Sequence, residues 1–198
     1  MIEVIYSTIK RRIYIEDEIL FKYGLNALLR YVSVMLIVLI ISKVMDTLIE
    51  TLFYTMAFIQ LKCNVGGFHF KRKINCFIVS VLGLLCFPVL FSKERIDFGC
   101  AIMINIFCYL IIIKVAPIPS ESKFLSKDDL IYFKNKIKIK LLNILLIQFI
   151  VFLFDLSIYY AVTSALLCIT LDLLLFKLIL FFRINPENEL DFTKGKGR

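Results

Sequence analysis

The stretch Phe98–Val115, FGCAIMINIFCYLIIIKV, decides the fold. Crossing a bilayer's hydrocarbon takes about 20 apolar residues in a helix, and this run approaches that length. An open sheet in lipid would leave backbone groups with no water to satisfy them, and a closed barrel would alternate in polarity. The Ile, Leu, Phe and Val here are continuous and fit neither. The pattern recurs in both directions. Residues 74–91 precede it across a polar turn at 92–97, and before them come a weaker run at 46–61, holding Asp46, Glu50 and Gln60, and a run at 25–41. Residues 141–154 and 159–182 follow a long polar connection, 116–140, and are separated by a short turn containing Asp155. Six transmembrane helices in an all-α polytopic fold are expected. At residues 1–24, Ile2, Ile5, Tyr6, Ile9, Ile13 and Leu20 recur at helical spacing, with Lys10, Arg11 and Arg12 on the remaining surface. That pattern predicts an amphipathic helix lying on the membrane. Glu3 and the acids at 16–18, with no small-residue cleavage site, argue against a secretory signal peptide.

Composition agrees. Of 198 residues, 60% are hydrophobic and the mean hydropathy is +0.86, against about 45–50% apolar content in soluble domains. The chain reads as one integral membrane domain, 1–198. Cytoplasmic loops collect Lys and Arg. With six spans and the N-terminus inside, only Lys43, Lys93 and Arg95 fall on external connections. This orientation puts both termini, the 62–73 segment, the 116–140 connection and the 183–198 tail in the cytoplasm. The formal charge of +8 then belongs mostly to the inner face, where topology and anionic lipid account for it, or else the docking of an acidic peptide. Lys134, Lys136, Lys138 and Lys140 read as an inner-leaflet anchor for the fifth span. No aromatic-rich basic fold or recognition helix stands apart from the membrane core, so nucleic-acid binding is not expected.

Chemistry concentrates at one place. Gly66-Gly67-Phe68-His69 sets the only histidine seven residues before Cys76, among Lys71, Arg72 and Lys73. These are the parts of a thiol nucleophile and its base. A free cysteine has a pKa of about 8.5 and is only a few per cent thiolate near neutrality, so an adjacent histidine and positive charge raise the reactive fraction. In one straight helix seven residues rise about 10 Å, far more than the roughly 3 Å of a proton transfer. The chain must therefore fold back, and Gly66 and Gly67 permit the backbone angles and close approach that this needs.

The motif Gly66-Gly67-x-His69, six intervening residues and Cys76 resembles the accessory gene regulator B (AgrB) family of quorum-sensing membrane endopeptidases. Ser80, one turn beyond Cys76, and Ala116-Pro117 with Pro119, Lys123 and Leu125 extend the likeness over nearly the whole chain. Lys62 and Cys63-Asn64 depart from it, since the family often has an arginine seven residues before the histidine, where two parallel hydrogen bonds would clamp a carboxylate. The resemblance implies Cys76 as nucleophile and His69 as base. It also implies a thioester held on Cys76 and ring closure by a Cys or Ser of the peptide. Gly66, Gly67, Lys62, Lys71, Arg72, Lys73 and Ser80 are candidate substrate-binding or site-shaping residues. The implied partners are a short signalling-peptide precursor with an acidic C-terminal tail, the lipid bilayer of a bacterial cell and a second copy in a homodimer. No cofactor is expected.

The remaining reactive residues have plainer readings. Cys86, Cys100, Cys108 and Cys168 fall within spans and act as small hydrophobes, and Cys63 reads as packing. One histidine with scattered cysteines shows no zinc-ligand spacing, so no metal is expected. Glu50, Asp155 and Asp172 are costly acids in or beside apolar runs. Asp155 belongs to an external turn, and neither Glu50 nor Asp172 has an evident reach to His69. A different class of function also fits these residues: a small peptide or ion transporter in which His69 and Asp172 line a path and Cys76 packs.

Overall fold

The computed structural model describes residues 17–66, 73–93, 96–118 and 127–183. They form six helices: α1 (Glu18–Val44), α2 (Leu48–Val65), α3 (Lys73–Lys93), α4 (Phe98–Val115), α5 (Lys127–Phe154) and α6 (Leu156–Arg183). No strand occurs among the described residues, in line with the all-α expectation. By length and composition four helices suit a membrane crossing: α1, α4, α5 over Asp128–Phe154 and α6 over Leu156–Leu180. Helix α3 contributes a shorter apolar stretch, Phe77–Phe91. Helix α2, carrying Glu50, Gln60 and Lys62, is not among the four.

Aspartates begin three helices, because a side-chain carboxylate satisfies amide donors that have no partner in the first turn. Asp17 accepts from the amides of Ile19 and Leu20, both at 3.0 Å. Asp97 accepts from Gly99 at 3.0 Å, and Asp155 from Ser157 at 2.8 Å. Between α1 and α2, Thr47 N–H donates to Ser42 O at 2.9 Å and Asp46 N–H to Lys43 O at 3.3 Å, with Asp46 at φ 56°. This Schellman closure uses a residue type that tolerates the left-handed region.

Three boundaries differ from the sequence expectation. Residues 18–24, expected to belong to an N-terminal amphipathic helix, are the opening turns of α1, which Asp17 caps; residues 1–16 lie outside the described set. Asp46 belongs to the α1–α2 turn, and α2 continues past Leu61 through Lys62 to Val65. The 116–140 connection is shorter than expected, because α5 begins at Lys127 and carries Lys134, Lys136, Lys138 and Lys140 on helix. Hydropathy marks where a helix is apolar, not where its backbone hydrogen bonds start. No Gly or Pro interrupts 127–154, and Lys, Ile and Leu all support helix. At 1.5 Å per residue α5 is about 42 Å long, so its basic first turns extend beyond a core of about 30 Å. There the Lys136 ammonium lies 5.4 Å from the Tyr132 ring centroid.

Helix α6 is central, packing against α2, α3, α4 and α5. Its residues Ile158 through Leu166 are all buried. Ala161, Thr163, Ser164 and Ala165 supply the small surface that lets neighbouring helices approach closely. The core around it includes Tyr54, Leu61 and Val65 of α2, Ile112 of α4, Ile144 of α5, and Leu166, Ile169 and Leu173 of α6. Tyr54 joins α2 to α3, its ring stacked near Phe58 and Phe87 and its hydroxyl donating to Gly83 O at 3.2 Å. Helix α1 is peripheral and exposes Leu20, Leu28, Leu36 and Ile40, as a lipid-facing helix does.

A polar network ties α4, α5 and α6. Asn105 Nδ2 donates to Tyr159 Oη at 2.8 Å and Thr163 Oγ1 at 3.0 Å; Gln148 Nε2 donates to Asn105 Oδ1 at 3.0 Å; Tyr109 Oη donates to Gln148 Oε1 at 3.1 Å. Gln148→Leu leaves Asn105 Oδ1 without that donor, and interhelical polar contacts of this kind contribute about 1–2 kcal/mol. We expect a lower thermal unfolding midpoint in lipid nanodiscs. Asn105→Leu combined with Gln148→Leu should destabilise by less than the sum of the single changes, because both act on one network.

Candidate active site

The motif begins where α2 ends. Gly66 terminates the helix at φ 80° and ψ −156°, a region that essentially only glycine occupies. A β-carbon there would stand 2.7 Å from Ile118 O. The neighbouring Val65 O accepts from Ile118 N–H at 3.2 Å. The end of α2 is thus pinned to the segment after α4, where Ala116 and Pro117 are buried and joined by a cis peptide. The conformational freedom and close approach expected of Gly66 are both used.

Cys76 lies in the first turn of α3. Lys73 opens the same helix. Ser80, one turn further, is exposed on α3 and does not serve as a buried helix contact. Gly67, His69, Lys71 and Arg72 lie outside the described residues.

Lys62 sits in the last turn of α2, one turn before Gly66, and its Nζ donates to Asp172 Oδ2 of α6. The two side chains are 23% and 28% exposed. Lys62 is the only cationic residue of α2, and Asp172 the only acid of α6. Sequence reading set Lys62 at the start of a cytoplasmic segment, as a substrate-binding or site-shaping residue, and gave Asp172 no role in the site. Its signal was available: an acid inside an apolar helix is costly unless paired. What the sequence did not supply was the partner, 110 positions away. Ile118 was missed for a similar reason, since only its backbone takes part.

Cys63, Cys86, Cys100, Cys108 and Cys168 are free thiols, Cys108 fully buried and Cys168 partly so. A cavity of about 250 Å³ opens between α4 and α5, lined by Phe98, Ile102, Leu145, Phe149 and the Asn105–Gln148 network. Asp172 and Lys62 do not line it, so this space is not the path that a transporter reading draws through Asp172.

Residues 2–182 match the accessory gene regulator B family. The chain belongs to that family. No curated protein and no solved structure matches it. Membership in the AgrB family links the protein to quorum-sensing peptide processing, and together with the four long apolar helices it marks a membrane protein. Gly66, Gly67, His69 and Cys76 all fall within the matched residues.

Proposed function

We propose that this protein is a membrane-embedded cysteine endopeptidase that removes the C-terminal tail of a signalling-peptide precursor and passes the remaining acyl group to a nucleophile within the peptide. The observation that carries this reading is family membership over residues 2–182 with the His69 and Cys76 positions intact. The location of Cys76 in the first turn of α3 supports it, because a helix N-terminus lowers the cost of the thiolate. In this reading His69 takes the Cys76 proton and the sulfur attacks the scissile carbonyl carbon. The carbon–nitrogen bond breaks, and the proton leaves with the amine of the tail. A thiol or hydroxyl of the bound peptide then attacks the Cys76 thioester, closing a thiolactone or lactone ring and returning the thiol.

Exchange of one thioester for another is nearly balanced in energy, whereas hydrolysis runs strongly downhill. Ring closure therefore requires that water be excluded and the peptide nucleophile be held near the acyl carbon. A site at the inner membrane boundary meets the first condition. Six crossings with an inner N-terminus would put the 62–73 segment, the 116–140 region and both termini in the cytoplasm, facing newly made precursor. The acidic tail would meet the basic inner face, and a homodimer is consistent with this arrangement.

The test is to trap the acyl-enzyme. Full-length protein in lipid nanodiscs is mixed with synthetic precursor-like peptides, each with an amphipathic leader, a central Cys or Ser and an acidic C-terminal tail, made with that central Cys or Ser changed to alanine. Intact-protein mass spectrometry should show the N-terminal fragment added to Cys76 and removed by hydroxylamine. Release of the tail with no adduct at any time point would overturn the thioester pathway.

A further inference from the structure

Two unlike contacts clamp the inner end of α2 on either side of one turn. Lys62 is held by Asp172 of α6, and Val65 O is held by Ile118 N–H. Just beyond them Gly66 ends the helix, and His69 follows three residues on in sequence. Helix α6 packs most extensively against α2 and is itself the most enclosed helix, so Asp172 stands on the helix that the rest of the bundle holds. A lone carboxylate and a lone ammonium in apolar surroundings each strongly favour the other as partner. Their pairing fixes both the height and the rotation of the last turn of α2.

The geometry points to Asp172 as a positioning residue for the candidate peptidase site: through Lys62 it holds the last turn of α2 and Gly66, the end from which the sequence runs into the His69 motif. This inference rests on the endopeptidase reading and changes the part Lys62 plays in it. The Lys62 ammonium is directed to Asp172, so its contribution is to orient the motif rather than to hold a carboxylate of the peptide. Reaction geometry is steep in distance, and a displacement of about 1 Å costs on the order of 100-fold in rate.

The experiment uses full-length protein in nanodiscs with six variants: Asp172→Asn, Lys62→Met, Lys62→Arg, His69→Ala, Cys76→Ala, and the exchange Lys62→Asp with Asp172→Lys. Two readouts are taken, the pH profile of Cys76 alkylation by iodoacetamide, resolved by peptide mass spectrometry, and kcat and KM for cleavage of the precursor-like peptide with its acidic tail. Asp172→Asn and Lys62→Met should each lower kcat by about 10–100-fold with little change in KM. Both should also move the Cys76 alkylation midpoint toward the ordinary thiol value of about 8.5, as His69→Ala should. Lys62→Arg should retain activity, and the exchanged pair should recover most of it.

Several outcomes would sink the inference. A folded Asp172→Asn protein with wild-type kcat and alkylation profile is one. Another is a folded exchange variant that stays as slow as the single changes, because that is the pattern of a Lys62 that touches peptide directly. A loss of thermal stability with kcat per folded molecule unchanged would make the pair structural only. If the single variants fail to fold, the exchange variant alone decides by its rate. Failure of the endopeptidase reading looks different: wild-type protein leaves the precursor whole, or Cys76→Ala still cuts it.

Discussion

Cys76→Ala is expected to leave the precursor entirely uncut while the protein accumulates in the membrane at its normal level. The sulfur forms the bond that replaces the scissile amide, and no other group in the motif can take that part. His69→Ala should fall less far. A positioned base contributes about 10²–10⁴-fold, and a helix N-terminus such as that of α3 still favours some thiolate. Residual cleavage by His69→Ala should therefore rise with pH up to the thiol's own ionisation. The measurement is tail release by mass spectrometry from pH 6 to 10. Cys76 lies fourth in α3, and Leu82 further along the same helix is exposed and outside the motif, so Leu82→Ala is the control and should stay within about twofold of wild type on the usual scale of surface substitutions. A transporter would instead retain its transport activity after Cys76→Ala.

Gly66→Ala carries the second large effect, and its cause is steric. The backbone at φ 80° and ψ −156° costs a residue with a β-carbon about 1–3 kcal/mol. In addition, the new carbon would stand 2.7 Å from Ile118 O. That neighbour is a backbone carbonyl and cannot swing aside as a flexible side chain would. To accept the methyl, the chain must give up the Val65–Ile118 hydrogen bond or rotate the end of α2. Either change moves the start of the motif relative to α6. Cleavage should drop by about 100-fold or more, with a lowered unfolding midpoint. Gly24→Ala and Gly83→Ala make the same chemical change inside helices where no atom lies within 4 Å of the added carbon. Those two should be neutral or slightly stabilising, because alanine is the better helix former by about 1 kcal/mol. Equal losses at all three glycines would contradict the steric account.

Much of the architecture was legible because membrane helices are selected by transfer free energy, a local property of each segment. The 98–115 run became α4 with those same ends. The polar turns at Asp97 and Asp155 separated helices where expected, since a short acidic side chain both ends an apolar run and caps the next helix. Helix starts within mixed sequence were less legible. Helices α1 and α5 extend back to Glu18 and Lys127 through charged residues, because backbone hydrogen bonding continues past the edge of the apolar band. For the candidate site, the motif was an expectation from spacing, and of it the described residues include Gly66, which ends α2, and Cys76, in the first turn of α3.

By itself, then, the sequence determined that this is an all-helical membrane chain with one thiol-and-imidazole motif following a glycine turn. Those properties reside in single residues and short windows. Only the tertiary structure decided that α6 is the common support, that Lys62 belongs to Asp172, and that Gly66 turns against Ile118. Each depends on which helix faces meet, and in lipid those contacts come from packing, small residues and scarce polar pairs rather than from a further hydrophobic drive. Residues 62 and 172 are 110 positions apart in sequence. They become partners because two helices, each with a single charge of the needed sign, settle side by side.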